Sequence, residues 1–254
     1  MSVFVKFDPW GRMGNRMFQH ALGSIISAHK RVPLYSPGLP NFSIPNTESP
    51  VVIPRDPIYT RNYGHNKIDY NELINTERDI IIDSFVQRAE YYKEHKEFLC
   101  NIFNIKKDIT LNQGKLILHI RETDYVQLGI FHGYDYYRQL IYDTGFKDVT
   151  IVTDNSNCET VRKLIQDGCV LNTAGYVDKF EHTSDQRAMI DFNTLLYSEN
   201  IAISQSTFSW WSCFLGEHKK IFFPLPSAKG MWRLEPDQDD IDLRLSWPNI
   251  ITVC

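Results

Sequence analysis

The sequence predicts an α/β protein built on parallel, doubly wound sheet. Short apolar stretches that are typical of buried strands alternate with segments whose apolar residues recur at helical spacing. The strand-like stretches are VFVKF, DIIIDSF, KLILHI, DVTIVTD, NIAISQ and KKIFFP. Because alternating strands and helices place successive strands parallel, with helices packed on the faces of the sheet, this order indicates a doubly wound arrangement.

The predicted helices follow these strands in order. The first, MFQHALGSIISAHK, comes after VFVKF and gives a strand–loop–helix opening. The region from Tyr35 to Asn71 is rich in proline, asparagine and serine, so we expect a long ordered loop there. Further helices are predicted at YYKEHKEFLCNIF, YDYYRQLIYDTG, NCETVRKLIQDG, DQRAMIDFNTLLYSE and FSWWSCFLGE. A domain boundary is expected near Asp108 to Gly114.

Composition excludes several classes of protein. With 254 residues, 43% of them hydrophobic, the chain can bury a core in one large domain or two small ones. The net charge of -4 and the lack of a long basic block argue against a nucleic-acid partner. The five cysteines show no zinc-ligand spacing, and no apolar run approaches the roughly 18 residues of a membrane span. We expect a cytoplasmic protein, or the catalytic domain of a longer, membrane-anchored parent.

Two clusters of functional residues lie at the ends of predicted strands. In WGRMGNRMFQ, Gly11 and Gly14 bracket Arg12 in a tight turn that leads into a helix, where backbone amides could bind an anion or a sugar. The simpler interpretation is a turn and nothing more. In HIRETDY, Arg121 directly follows an apolar strand and could bind a phosphate through two hydrogen bonds. Here the simpler interpretation is a charged strand end that keeps the edge soluble.

Two further clusters follow later strands. In IVTDNSN, Asp154 leaves a strand, and its alternative role is to cap the next helix. In AISQSTFSWWSCF, Ser206 and Thr207 stand at a helix start, which suits a phosphate; the alternative is an N-cap, with Trp210 and Trp211 in the core.

Taken together, the four clusters predict a nucleotide site more strongly than any one of them does alone. Asp191, on the preceding helix, either points into the same crevice or faces solvent. A nucleoside diphosphate needs an arginine, helix-start amides and ribose-binding carboxylates at one place, and four clusters at strand ends facing one crevice would supply them.

The order of GRMGNRMFQHALG, HIRETDY, TDN and STFSWW resembles the α-1,2-fucosyltransferase family over roughly residues 8 to 225. The glycine turn is also similar to that of protein O-fucosyltransferases. The resemblance implies a GT-B-like fold of two Rossmann-like domains facing a central crevice, with residues 1–112 on the acceptor side and residues 113–254 binding GDP. It further implies a GDP-fucose donor, inversion at the anomeric carbon and no metal or other cofactor.

The resemblance also assigns roles to residues. Arg121 matches the arginine that grips the diphosphate, and Asp124 is the candidate base, with orientation of Arg121 as its alternative role. Arg12 and Arg16 are expected to contact the acceptor. The positions matched to the donor site are Gly14, Asn15, His119, Arg121, Asp154, Ser206, Thr207 and Phe208. Asp191 is added to the donor site from its position on the helix before the STFSWW cluster.

One departure from the family bears on the donor. Glu122 stands where the family has a second arginine. Because adjacent strand residues point to opposite faces, we expect Glu122 to face away from Arg121 and to pair with a cation such as Arg12 or Arg16. The alternative is that Glu122 points into the crevice and repels the diphosphate, so that another cation or a different donor must offset its charge. Two alternatives to a fucosyltransferase stay open: a related transferase with another nucleotide sugar, and a noncatalytic glycan-binding module in which Trp10, Trp210 and Trp232 stack on sugars.

Overall fold

The computed structural model describes residues 1–48, 52–64, 66–173, 184–225 and 241–253. The chain divides into two compact units. The first comprises Met1–Ile105 and the described residues 241–244; the second comprises the described parts of residues 106–232 and 245–254. The predicted boundary after residue 112 falls inside a strand of the second unit. Within the described ranges, no helix combines the length and the apolar character needed to cross a bilayer.

The first unit contains a four-stranded parallel sheet with the strand order β2-β1-β4-β3. Its strands are β1 (Val3–Val5), β2 (Leu34–Tyr35), β3 (Ile58–Tyr59) and β4 (Ile80–Ile82). Its α-helices are α1 (Met13–Lys30), α2 (Tyr70–Asn75) and α3 (Lys96–Ile102). Four short 3₁₀ helices lie at Pro40–Phe42, Thr60–Tyr63, Ala89–Tyr91 and Lys93–His95.

Helix α1 packs directly on this sheet. Its apolar face, which includes Met17, Leu22 and Ile25, is buried, as its spacing predicts. At Gly23 the helix comes so near strand β1 that a Cβ atom would lie 2.7 Å from Val5 Cγ2. Glycine is therefore required there for close approach of helix and strand.

A late part of the chain completes the first unit. The amide of Ala89 donates to the carbonyl of Asp242 at 2.7 Å, and the amide of Asp242 donates to the carbonyl of Gln87 at 2.9 Å. Leu243, the next residue, is fully buried. The first unit is thus formed from two segments that are distant in sequence.

The second unit contains a six-stranded parallel sheet with the strand order β10-β9-β8-β5-β6-β7. Its strands are β5 (Leu111–Ile120), β6 (Val149–Thr153), β7 (Val170–Leu171), β8 (Ser198–Ala202), β9 (Lys220–Pro224) and β10 (Ile250–Val253). Its helices are α4 (Asp124–Leu128), α5 (Gly133–Thr144), α6 (Glu159–Gln166), α7 (Ser184–Leu196) and α8 (Thr207–Leu215).

The strand order of the second unit reverses between β5 and β8. From β5 the chain continues outward to β6 and β7, and it then returns to the other side of β5 to form β8, β9 and β10. Parallel α/β sheets bind ligands outside the carboxyl ends of the strands at such a switch point. Arg121 follows β5 directly, and Ser204 to Thr207 follow β8, so both segments lie at this point.

Several predicted elements need correction. The segment from Tyr35 to Asn71, predicted as loop, contains the end of β2, all of β3 and the first turn of α2. Helix α1 begins at Met13, so Gly14 lies inside its first turn rather than in the preceding loop. Trp210 and Trp211 are fully buried, which confirms their assignment to the core.

Candidate functional site

Arg121 lies at the carboxyl end of β5 and contacts two carboxylates. Its Nη2 atom is 2.9 Å and 3.1 Å from the two oxygens of Asp124, and its Nη1 atom is 3.7 Å from Asp154 Oδ2. The guanidinium carbon lies 4.8 Å from the ring centre of Tyr125. Only 13% of the side chain is exposed, and its buried Nε has no hydrogen-bond partner among the described residues. The guanidinium is therefore held by its neighbours instead of extending into solvent.

Thr123 links the two carboxylates. Its Oγ1 lies 2.8 Å from Asp124 Oδ1 and 2.8 Å from Asp154 Oδ2. A hydroxyl carries one proton, so Thr123 donates to one of them at a time. Sequence reasoning missed this role, although Thr123 lies inside the HIRETDY stretch.

Asp154 does not cap the helix that follows it. Helix α6 begins at Glu159 with Cys158 at its N-cap, whereas the Asp154 carboxylate points toward Arg121 and Thr123. The capping alternative for Asp154 is thus wrong in this structure.

The environment of Asp124 favours its ionised form. Partial burial alone would raise the pKa of Asp124, but the hydrogen bond from Thr123 and the charge of Arg121 outweigh burial and lower it. A carboxylate with a lowered pKa is a weak proton acceptor. These contacts suit orientation of Arg121 better than general-base chemistry.

His119 joins β5 to the segment after β8. Its Nδ1 is 2.8 Å from Ser204 Oγ, and its ring stacks on Phe208 with the ring centres 5.6 Å apart. Burial, with a smaller effect from the charge of Arg121, lowers the pKa of His119 to about 3. His119 is therefore neutral at physiological pH and packs inside the unit.

The start of α8 lies beside His119. Ser206 occupies the N-cap position without a capping hydrogen bond from its side chain, and the first turn contains no acidic residue. Ser206 and Thr207 are buried, while Phe208 is half-buried between His119 and Phe192. The positive end of the helix dipole is thus not neutralised by an acidic residue of its own first turn.

Asp191 does not face solvent as an ordinary surface carboxylate. Its Oδ1 accepts a hydrogen bond of 2.9 Å from Asn172 Nδ2, just after β7. Burial raises the pKa of Asp191 to about 6, against the opposing effects of Asn172 and Arg187. The half-buried carboxylate is bonded to Asn172, and its predicted position in the crevice stays a prediction.

Glu122 is buried within the second unit and is 6% exposed. Its carboxylate lies near the Cys158 thiol and the buried Tyr137. Its Oε1 has no hydrogen-bond partner among the described residues. The expectation that Glu122 faces away from Arg121 agrees with this placement, but its contacts are to residues of α5 and the start of α6. The predicted pairing with Arg12 or Arg16, which belong to the first unit, stays a prediction.

The glycine turn lies in the first unit, at the start of α1. Arg12 occupies the N-cap position and is exposed, as is Arg16, while Gly14 is buried. Asn15 accepts a hydrogen bond of 2.9 Å from Gln87 Nε2 through its Oδ1. The Arg16 guanidinium lies 5.7 Å from the ring centre of Phe7. All four predicted residues lie in the first unit, and their contact with donor or acceptor stays a prediction.

The tryptophans predicted to stack on sugars have very different surroundings. Of the tryptophans predicted to stack on sugars, Trp10 is 89% exposed, Trp210 is fully buried and Trp232 lies outside the described residues. A fully buried ring cannot stack on a glycan, so Trp210 contradicts that arrangement.

Across the described ranges, no group of three or more His, Cys, Asp and Glu residues could hold a metal ion.

Comparison with solved structures identifies the fold. A point mutant of Arabidopsis thaliana FUT1 in complex with GDP matches with a TM-score of 0.53 and 11% sequence identity, covering 93% of this chain and 71% of that one. The fucosyltransferase NodZ from Bradyrhizobium matches with a TM-score of 0.52 and 12% identity, covering 87% of this chain and 93% of that one. The chain has a GT-B-like α/β fold.

The GT-B-like fold confirms the predicted fold class at the level of two parallel-sheet units with helices. Sequence comparison alone does not reach this result: no family model matches the chain, and the search of curated proteins finds no match. At 11% and 12% identity the likeness concerns the backbone arrangement. This likeness does not by itself assign a chemical role to any residue of the chain.

Proposed function

We propose that the protein is an inverting fucosyltransferase that transfers fucose from GDP-fucose to a hydroxyl of a glycan acceptor, forming an α-1,2 linkage without a metal. The observation that carries the proposal is the position of Arg121 at the switch point of the second sheet, beside the start of α8. The fucosyltransferase NodZ and the GDP-bound FUT1 have the same fold, which supports this assignment.

Arg121 is assigned to the leaving diphosphate. As the acceptor hydroxyl oxygen bonds to the anomeric carbon and gives up its proton to water, the bond from that carbon to the GDP oxygen breaks and its electron pair stays on the phosphate. A fixed guanidinium and helix-start amides stabilise the negative charge that develops there. Arg121 already has Asp124 and Asp154 as neighbours, so the diphosphate must compete with two carboxylates for it.

Asp124 is assigned to positioning, because its ion pair with Arg121 and its lowered pKa both oppose a role as base. Asp191, Ser206, Thr207 and Phe208 are proposed to contact the nucleotide. Gly14 and Asn15 are proposed to contribute to the donor site, and Arg12 and Arg16 to contact the acceptor.

The alternative of another nucleotide sugar came from Glu122. That side chain is buried against Cys158 and away from Arg121, which removes the reason to expect its charge at the phosphates. Release of nucleotide from a panel of nucleotide sugars, with galactose- and xylose-terminated acceptors, tests the donor directly. Turnover confined to a donor other than GDP-fucose would contradict the assignment.

We expect GDP to stabilise the protein in the presence of a chelator. A ligand at about 100 times its Kd adds about 2.7 kcal/mol to the free energy of unfolding, which raises the Tm by several degrees. Thermal unfolding of the wild type with GDP and EDTA measures this, with Arg121→Ala as the variant that should lose the shift. A shift that disappears when EDTA is added would refute metal independence.

A further inference from the structure

The first unit contains a cavity that the proposed function does not use. It lies between α1, the start of β2, the segment after the first 3₁₀ helix, and the end of α3. Its volume is about 380 Å³. That is at the lower end of the roughly 300–1,000 Å³ typical of small-molecule sites, and it would hold roughly a dozen water molecules.

Ser24, one of the residues that line this cavity, has a buried hydroxyl without a partner among the described residues. The residue lies in the fourth turn of α1 and is 5% exposed. A buried hydroxyl without a hydrogen bond destabilises the folded protein. A ligand that bonds to Ser24 would remove this cost, so the unpaired hydroxyl indicates an occupant.

His20 lines the cavity one helical turn before Ser24, on the same face of α1. Its Nδ1 lies 2.9 Å from Ser36 Oγ, which orients the ring. Burial lowers the pKa of His20 to about 4, so the imidazole is neutral at pH 7. The polar groups on this helix face are therefore uncharged.

The rest of the lining is neutral as well. Among the described residues that line the cavity there is no Asp, Glu, Lys or Arg. Phe42 contributes apolar surface, while Thr47, Asn101 and Asn104 contribute a hydroxyl and two amides that both donate and accept hydrogen bonds. A charged ligand would lose its hydration here without gaining an opposite charge. A neutral ring that carries hydroxyl groups satisfies both parts of the lining.

We propose that this cavity binds one neutral sugar ring and that the Ser24 hydroxyl bonds to it. The proposal goes beyond the transfer reaction and does not depend on it, because every residue involved belongs to the first unit. The ligand class is a neutral monosaccharide unit, free or at the end of a glycan, rather than a sugar phosphate or a nucleotide.

The test is a saturation-transfer NMR titration of the full chain, without nucleotide, using the methyl glycosides of galactose, glucose, xylose and fucose. We expect at least one to bind wild type and to bind Ser24→Ala about fivefold more weakly, the loss of one hydrogen bond. The Tm of Ser24→Ala should be equal to or above that of wild type, because the hydroxyl it removes has no hydrogen-bond partner among the described residues. This combination separates a ligand contact from a structural role.

Ser27→Ala is the matched control. Ser27 lies on the same helix, but its Oγ donates to the Val32 carbonyl at 2.6 Å and does not line the cavity. We expect a lower Tm and unchanged sugar affinity for this variant. Absence of binding by all four glycosides, or equal affinities of Ser24→Ala and wild type, would overturn the proposal. Equally tight binding of glucose 6-phosphate would overturn its neutral specificity. The GDP thermal shift, measured on the same samples, reports separately on the proposed transferase.

Discussion

Arg121 and Glu122 are neighbours in sequence but have opposite surroundings. Arg121 contacts Asp124 and Asp154 at the edge of the sheet, whereas Glu122 is buried against Cys158. Both residues follow Ile120, the last residue of β5, and the chain there directs the two side chains into these different surroundings. One stretch of sequence therefore supplies both a candidate ligand-binding cation and an interior carboxyl group.

We expect Arg121→Ala to lower turnover about a thousandfold while the protein stays folded. Removing a preorganised charge beside a leaving phosphate costs about 4 kcal/mol of transition-state stabilisation, and each 1.36 kcal/mol is tenfold. Steady-state GDP release measures the effect. Arg138→Ala is the control, because Arg138 is exposed on α5, with its guanidinium carbon 6.0 Å from the ring centre of Tyr134. Activity of Arg121→Ala within a few fold of wild type would show that Arg121 only keeps the strand end soluble.

Asp124→Asn separates the two roles of that residue. A positioning residue should lower turnover about tenfold and leave the pH profile unchanged, since the amide still accepts a hydrogen bond from Arg121. A general base should lower turnover by about 10²- to 10⁴-fold and remove the acidic limb of the profile.

We expect Glu122→Arg to destabilise the second unit and not to improve use of GDP-fucose. The substitution places a larger cation in a buried space beside Cys158 and Tyr137, which costs about 3–5 kcal/mol. Urea unfolding measures this. Glu159→Arg is the control: Glu159 is exposed at the start of α6 and pairs with Lys163, so little change is expected. A gain in donor affinity for Glu122→Arg would show that the glutamate faces the phosphates.

At the scale of elements, the neighbouring strands β5 and β8 organise the candidate site. They pair in parallel, for example Leu118 with Ala202, although β6 and β7 intervene in sequence. The hydrogen bond between His119 and Ser204 continues this pairing beyond the strand ends. This hydrogen bond holds the start of α8 against the end of β5, and Arg121 is the first residue after that strand.

We expect Ser204→Ala to lower the free energy of unfolding by about 1–3 kcal/mol, because it leaves the buried His119 Nδ1 without its partner. Ser212→Ala is the matched control. Ser212 is also fully buried, but its Oγ donates to the carbonyl of Phe208 within the same helix, so its loss should matter less. Equal effects of the two substitutions would contradict the bridging role.

Sequence patterns predict the longer elements well and the short ones poorly. Strands β2, β3 and β7 have two residues each, which is too short for any periodicity, and the prolines around β3 suggested a loop. The pattern also placed Arg121, Asp124 and Asp154 at neighbouring strand ends, where they now contact each other. It could not reveal Thr123 between two carboxylates or Glu122 beside Cys158, because those contacts depend on the register of β5 against β6 and on the packing of α6.

At the scale of the whole molecule, buried titratable groups set the response to pH. Burial lowers the pKa of His119 to about 3 and of His20 and His132 to about 4, from 6.5 in the unfolded chain. The stability they contribute is complete above pH 6.5 and is lost as the pH falls toward those values. Asp191 acts oppositely: its raised pKa contributes stability below 3.8 that is lost as the pH rises through about 6.

We expect the free energy of unfolding to fall by about 4 kcal/mol between pH 7 and pH 5. The stability contributed by each of the three histidines falls by about 2 kcal/mol over this range, and the increase contributed by Asp191 offsets part of the total. Urea unfolding at the two pH values measures the difference. His132→Phe should reduce it by about 2 kcal/mol. This variant keeps an aromatic ring against Tyr136 and removes a nitrogen that has no partner among the described residues. A pH dependence unchanged in His132→Phe would show that His132 does not titrate as described.

The hydrogen bonds between Asp242 and residues Gln87 and Ala89 have a consequence for biosynthesis. A ribosome adds about 5–20 residues each second, so Asp242 emerges roughly 8–30 s after Gln87. During that interval the backbone groups that will bond to Asp242 have no partner from the chain and can bind a chaperone or another nascent chain. An expressed fragment that stops at Ile105 would remain in this state permanently. The first unit, although made first, can be completed only after nearly all of the second has been translated.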